Sequence, residues 1–378
     1  MVKIFGRANV TSIDNYNARD AGDDATKTFD RPPPYYDAWQ SNEGIPIYES
    51  FHIDDLTKVE LDIWRRFGVP AAFVNLADPS ICTAIVLEIP PGGATEAVRH
   101  MFETWIFVVD GTGQTLIRQD SVKDQVIDWQ TRSLFGPPLN ATYQHKNTGS
   151  EPARILMVTN APLTLNLYHN EKFVFENPFV FKDRYGGEDD YFDPHYEVLA
   201  QRYIRTNLVK DVCDFYLHEW EERGPSSRTV FLSMSHHTIG AHVSEFEIGT
   251  YKKAHRHGPS AHVIILQGEG FSLLWKEGEK MERVEWRENS IFSPPDMWYH
   301  QHFNTGRATA RYLALKSKGA PEHPCRIGAP GPNSDPEFAK LHQIESEDED
   351  PAIYDMFAEE LKRKGVEIVQ HRPNYSPQ

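Results

Sequence analysis

The stretch AHRHGPSAHVIILQGEG, residues 254–270, carries His255, His257 and His262 and then runs into an apolar segment closed by Gly268 and Gly270. A second stretch, MWYHQHFN at 297–304, carries His300 and His302. Imidazole is the commonest metal ligand among side chains and an acid or base near neutral pH. Residues two apart on a strand point to the same side. His255 and His257 therefore share a face, as do His300 and His302, and alternation puts His262 opposite Ala261. The spacing raises a choice between a metal site and a set of surface imidazoles.

The elements that position these histidines occur twice. PPLNATYQHKNTGSEPARIL (137–156) and PPDMWYHQHFNTGRATARYL (294–313) match at Pro137, Pro138, Gln144, His145, Asn147, Thr148, Gly149, Ala153, Arg154 and Leu156, each recurring 157 residues later. The same offset carries Gly92 to Gly249, His100 to His257, Gly111 to Gly268, Gly113 to Gly270, Trp129 to Trp286 and Phe135 to Phe292, with no gap. The chain holds two copies of one unit. Each copy reads as short apolar or alternating runs rich in β-branched and aromatic residues, punctuated by Gly, Pro and Asn, which predicts small β-barrels or jelly rolls. The copies differ where chemistry is concerned. Val98 stands in place of His255 and Tyr143 in place of His300, so the first copy is expected to be metal-free, with His100 satisfied beside Glu103.

The second copy reads Gly249, His255, His257 and Gly268, then Pro295, His300 and Asn304, and this pattern resembles that of the cupins, over both repeats. The resemblance implies a mainly β bicupin, two tandem jelly-roll β-barrels with flanking helices. His255, His257 and His300 then converge as ligands of a first-row divalent metal. The Glu that cupins usually add falls at Ala261, which leaves three neutral ligands; an inward-turned His262 is the alternative fourth. HRHGPSAHVIILQGEG and MWYHQHFN look like segments of the gentisate, salicylate and 1-hydroxy-2-naphthoate dioxygenases, with Met297, Tyr299 and Gln301 as departures. Those enzymes use Fe(II) on three histidines and insert both atoms of O2 into an aromatic ring, usually with the iron in the first cupin rather than the second.

The resemblance gives an expected assignment: Fe(II), with Mn, Ni or Zn as alternatives, on His255, His257 and His300, and a small-molecule substrate with O2. His302 is either an acid/base group or a structural one repeated as His145. Trp298 shares the parity of His300 and is a candidate for the substrate pocket. The leading reading is an Fe(II) dioxygenase cleaving a small hydroxylated aromatic or related oxygenated compound. A redox-neutral metal-dependent isomerase, lyase or decarboxylase and a non-catalytic ligand-binding bicupin are the alternatives. Oxalate decarboxylase-like chemistry ranks lower because its glutamate is missing at Ala261.

Composition sets the outer bounds. With 39 Lys and Arg against 55 Asp and Glu the net charge is −16, which disfavours nucleic acid and anionic membranes as partners. Cys82, Cys213 and Cys325 are too scattered for a disulfide framework, and no leader or apolar span appears, so a cytoplasmic protein is expected, as a homo-oligomer. The expected organisation is an N-terminal extension with a helix (1–80, helix near 54–68), the first barrel (81–164), an aromatic-rich connector (165–230) continuing into a helix near 197–223, the second barrel (231–320) and an acidic helical tail (321–378). Within that tail, ESEDEDPAIYDMFAEE reads as a solvated acidic lead into a helix over 351–365.

Overall fold

The computed structural model describes residues 31–258, 261–316, 322–323 and 341–376; Cys325 lies outside them. The chain is mainly β and forms two tandem jelly-roll barrels. In the first, the strands Val69–Leu76, Thr83–Ile89, Ala153–Thr159 and Thr104–Asp110 lie side by side in a large sheet. A three-stranded sheet of Thr142–Asn147, Thr112–Arg118 and Gln125–Gln130 faces it. The second barrel repeats this order with Arg228–Ser233, Gly240–Phe246, Ala310–Lys316 and His262–Gln267 in the large sheet and Glu282–Arg287, Glu269–Trp275 and Tyr299–Asn304 in the small one.

Alternation dictates which side chains go inside. On the strand Thr104–Asp110, Ile106 and Val108 enter the first barrel's core while Trp105, Phe107 and Val109 face a second core between the barrels. The recurring glycines have a packing reason: a β-carbon at Gly113 or Gly270 would collide with the ring of Trp129 or Trp286.

The barrels are joined by a reciprocal exchange of edge strands. His52–Ile53, ahead of the first barrel, pairs antiparallel with Ile291–Phe292 of the second. Leu208–Val209, ahead of the second, pairs with Leu134–Phe135 of the first. Each exchanged strand covers backbone groups that would otherwise be an exposed sheet edge. Between the barrels, Leu56, Trp105, Val212, Ile264, Leu313 and Leu315 share one buried cluster.

Two expected helices are not helices. Near 54–68 the chain makes a 3-10 turn at Leu56–Lys58, capped by Asp55, and the short strand Asp62–Trp64. Its apolar residues serve different cores, Leu56 between the barrels and Trp64 and Phe67 inside the first, so their helix-like spacing is not one face. The stretch 197–223 forms the strands Glu197–Ala200, Tyr203–Arg205, Leu208–Val209 and His218–Glu219. Tyr203–Arg205 runs parallel to Phe231–Ser233 as Ile47–Ser50 runs parallel to Phe73–Leu76, so the repeat extends into both connecting arms. The helices near these segments are Tyr35–Asn42, Ala161–Tyr168 and Glu171–Glu176.

The expected C-terminal helix is present as Pro351–Lys364. Asp350 caps its N-terminus through the Ala352 amide, Pro351 sits in the first turn and Gly365 closes it at φ +63°. Ile353, Phe357 and Leu361 pack on Tyr251, Phe271 and Phe303 on the outside of the second barrel's small sheet. Among the described residues no helix is long and apolar enough to cross a membrane.

Candidate metal centre

His255 lies in an extended segment that meets the strand Tyr299–Asn304 through a single bridge. The His255 amide donates to the His300 carbonyl at 3.1 Å and the His300 amide to the His255 carbonyl at 2.8 Å. This reciprocal pair fixes the two imidazoles side by side, with ring centroids 4.1 Å apart, and His257 joins them at 4.9 Å from His300. One ring nitrogen from each lies within 4.8 Å of the others. The Nδ1 atoms of His300 and His255 face the carbonyls of Trp298 (3.2 Å) and Lys253 (3.4 Å). An Nδ1–H that donates to a carbonyl leaves the Nε2 lone pair for a metal.

All three histidines are at most 9 % exposed. Burial pushes their basicity down, to about 3 for His300 and well below the ordinary range for His255 and His257, with the nearby cations and neighbouring imidazoles adding to it. The set is held neutral, as metal ligation requires. Among the described residues this is the group of histidine, cysteine or carboxylate side chains close enough to hold an ion, and its composition fits a divalent first-row metal.

His262 does not join it. It is fully buried on the opposite face of its strand, paired with Leu315, and its neighbours of the same parity, Ile264 and Leu266, belong to the inter-barrel core. Trp298 does not line the cavity either. Its ring packs beside Phe51 at 5.8 Å with the Lys276 ammonium 5.3 Å away. The strand begins only at Tyr299 and Met297 takes φ +59°, so parity cannot be counted back from His300 to Trp298.

His302 lies on the cavity wall and has the same anchor as His145. Trp286 Nε1 donates to Ser272 Oγ (3.0 Å), which lies 2.8 Å from His302 Nδ1. Trp129, Thr115 and His145 repeat the chain at 2.9 and 2.7 Å. A hydroxyl that accepts from the indole is best satisfied by donating to Nδ1, which puts the His302 proton on Nε2.

The cavity beside the histidines encloses about 40 Å3. Arg223, Lys252, Lys253 and Lys316 line it, with no carboxylate among the described lining residues. Lys253 is paired with Glu345, whereas Arg223 and Lys252 make no ion pair with a carboxylate among the described residues. The lining was missed in the sequence, although the 157-residue offset encodes it. His242, Ser244, Lys252, Tyr312 and Ala314 replace Ile85, Leu87, Thr95, Ile155 and Met157 of the first barrel. Ile85, Leu87, Ile155 and Met157 pack into that barrel's apolar core, so the same wall is hydrocarbon in one barrel and polar in the other, and Ile85 and Met157 also border a cavity of about 480 Å3 beside His100.

The C-terminal segment closes one side. Gln343 bridges to His255, the Ile344 amide donates to the Ala254 carbonyl, and Gln343 and Glu345 hold Arg223 and Lys253. Two members of the acidic lead, Glu345 and Glu349, are thus built into the barrel wall, while Glu347, Asp348 and Asp350 are exposed as expected. Glu349 is 6 % exposed and accepts from Tyr251 Oη at 2.7 Å and Gln301 Nε2 at 2.6 Å.

No protein-family model and no curated protein matches the sequence. Among solved structures, an oxalate decarboxylase from Lactobacillus farciminis in complex with formate is similar at TM-score 0.49 and 13 % identity, over 74 % of this chain and 87 % of that one. A mutant of the Bacillus subtilis oxalate decarboxylase gives 0.48 and 14 %, over 71 % and 77 %. A study of the Mn(II) centres of the Bacillus subtilis enzyme gives 0.48 and 13 %, over 71 % and 77 %. Likeness at this level says nothing of the reaction of this chain.

Proposed function

We propose that the second barrel is a mononuclear metal centre, held by His255, His257 and His300, that acts on a small carboxylate-bearing compound. The observation that carries this reading is the cavity: three buried neutral imidazoles beside about 40 Å3 of space, with Arg223 and Lys252 on its wall and no carboxylate among the described lining residues. One water needs about 10–15 Å3, so the space takes a few heavy atoms beyond the ion. An aromatic acid does not fit that volume without side-chain movement, which speaks against the ring-cleaving version of the reading.

A divalent ion on neutral ligands keeps its full charge and supplies Lewis-acid activation of a bound carboxylate or carbonyl. The chain's own residues supply the rest. Arg223 and Lys252 offset the charge of the anion, Val263 and Ala314 exclude bulk water from one side, and His302 offers an Nε2–H toward the cavity. These roles suit a redox-neutral lyase, decarboxylase or isomerase, with Mn, Zn, Ni or Fe as the ion. The second reading, an Fe(II) dioxygenase that cleaves a carbon–carbon bond with O2, is favoured by a separate feature. With Ala261 where a glutamate ligand would stand, three coordination positions stay open for a chelating substrate and O2.

Anaerobic purification with metal analysis of the wild type and of His300→Ala tests the centre. About one ion per chain, lost in the variant, is expected for a mononuclear site; no metal in either protein sinks the reading. Small carboxylates are then screened for product with and without O2. Turnover that needs no O2 supports the redox-neutral class, and stoichiometric O2 consumption supports the dioxygenase.

A further inference from the structure

Tyr312 stands on the strand Ala310–Lys316 directly opposite Ser244, on the cavity wall that also holds the three histidines. Its hydroxyl oxygen lies 3.1 Å from Lys252 Nζ, and the same ammonium donates to Ser244 Oγ at 2.7 Å. Ser244 in turn donates to the Arg228 carbonyl at 3.0 Å, so its oxygen is free to accept from Lys252. Lys252 and Tyr312 are 5 % and 7 % exposed, and no carboxylate pairs with this buried lysine through a hydrogen bond or ion pair among the described residues. A buried ammonium without a carboxylate is costly unless another anion accompanies it. The phenol oxygen is the group placed to be that anion.

The trio is absent where the metal ligands are absent. The first barrel has Thr95, Ile155 and Leu87 at the positions of Lys252, Tyr312 and Ser244. A structural need of the jelly roll would have kept it in both copies, as it kept the Trp–hydroxyl–His chain of Trp129 and Trp286.

We propose that Tyr312 is the proton-transfer residue of this centre, with Lys252 as the positioning residue that keeps its oxygen ready to accept a proton from the bound substrate. The inference rests on the metal-centre reading given above. In the step, a substrate C–H or O–H bond beside the group held at the histidines breaks. Its electron pair stays on the substrate, and the proton forms the O–H bond of Tyr312. Lys252 remains an ammonium and nothing is oxidised. The reverse transfer returns the proton to the product. His302, whose ring centroid is 5.7 Å from both Tyr312 and His300, spans the gap between the phenol and the histidines.

The surroundings agree. Burial alone raises the Tyr312 phenol, but the Lys252 ammonium, its hydrogen bond to the phenol oxygen, and Arg223 outweigh it and hold it below its ordinary value. Burial also pushes Lys252 down, against Tyr312 and the more distant Glu245, which is itself paired with Arg228 and Arg311. The other groups facing the pair, His242 and His302, are both held neutral by burial. The buried tyrosines elsewhere, Tyr36, Tyr143, Tyr191 and Tyr251, are all pushed up by burial, so a phenol that ionises early is spectrally separable from them.

The experiment is a near-ultraviolet difference titration of the full chain, both metal-depleted and metal-loaded, for the wild type, Tyr312→Phe and Lys252→Met, with metal content measured on each. The expected result is one tyrosinate band ahead of the rest in the wild type, absent in Tyr312→Phe and moved to higher pH in Lys252→Met, with metal content unchanged in both variants. Absence of an early band overturns the proposal, as does a band that survives Tyr312→Phe. Loss of metal in Tyr312→Phe also overturns it, because it assigns the residue a structural part. Failure of the wild type to bind metal sinks the metal-centre reading instead, and the metal-depleted titration reports on Tyr312 regardless.

Discussion

Tyr143 Oη lies 2.8 Å from His100 Nε2, and these two residues occupy the positions that His300 and His257 hold in the second barrel. His100 Nδ1 is also satisfied, 2.8 Å from the Phe102 carbonyl, and its ring stacks on Phe102. The expected partner Glu103 is engaged elsewhere. In the first barrel a hydrogen bond joins the residues at these positions, and Met157 borders a cavity of about 480 Å3 where Ala314 borders that of the second barrel.

Removing that hydrogen bond is therefore a matter of stability and not of metal. Tyr143→Phe leaves a fully buried imidazole nitrogen without a partner, which costs about 1–3 kcal/mol. Urea unfolding of the variant should show that loss while metal content stays at the wild-type level. A drop in bound metal would mean that the first barrel also holds an ion.

The repeat was legible because the small-sheet strands obey the 157-residue offset end to end: Thr112–Arg118 becomes Glu269–Trp275, Gln125–Gln130 becomes Glu282–Arg287 and Thr142–Asn147 becomes Tyr299–Asn304. The convergence of His255, His257 and His300 was expected from the spacing within two short segments and not from the repeat, whose other copy has Val98 and Tyr143 there. The arm exchange was not, since His52–Ile53 and Leu208–Val209 are two-residue strands whose partners lie far off in sequence, and nothing local in them differs from a loop. The cavity lining escaped because it consists of single replacements, such as Ile155 by Tyr312, scattered over three segments. The direction of Trp298 escaped because a positive φ at Met297 breaks the alternation.

Placing the first barrel's methionine at the matching position of the second tests whether the hollow there is the substrate space. Ala314→Met adds side-chain atoms to a cavity of about 40 Å3 without touching a ligand. Overpacking of this kind costs about 1–3 kcal/mol where it competes with an occupant. Azide binding to the cobalt-substituted protein, followed by its visible spectrum, should weaken by roughly tenfold or more, with metal content unchanged. Unaltered azide affinity would place the substrate space elsewhere.

Glu103 ties the barrels together. It is 5 % exposed and accepts from the Thr238 amide at 2.9 Å, the Thr238 hydroxyl at 2.6 Å and the Ile239 amide at 3.1 Å. Burial alone would raise its carboxyl; His237 and these hydrogen bonds outweigh that and hold it below its ordinary value. The folded value being depressed, the contribution is complete above the ordinary value of 4.5 and is lost as pH falls from there through the folded value. Glu103→Gln presents an amide to the same donors and should cost about 1.5–3 kcal/mol. Its unfolding free energy should also vary less with acid than that of the wild type. Parallel acid profiles would mean that another carboxylate governs the barrel interface.

Burial of the three histidines has a consequence for metal affinity. A solvent-exposed trio with ordinary values near 6.5 would be about three-quarters protonated at pH ~6 and almost neutral at pH ~8. Competition from three protons would then weaken binding by roughly 70-fold over that interval. Here burial, reinforced by the adjacent cations and by the imidazoles' effect on one another, holds His300 down to about 3 and its two partners well below the ordinary range. The folded apoprotein thus presents lone pairs across the whole interval, and no proton need leave for the ion to bind. Chelator-competition titrations at pH ~6 and ~8 should give metal affinities within about threefold of each other once the chelator's own protonation is corrected. A fall near 70-fold would show that the histidines are open to solvent in the apoprotein and that the ion itself assembles the site.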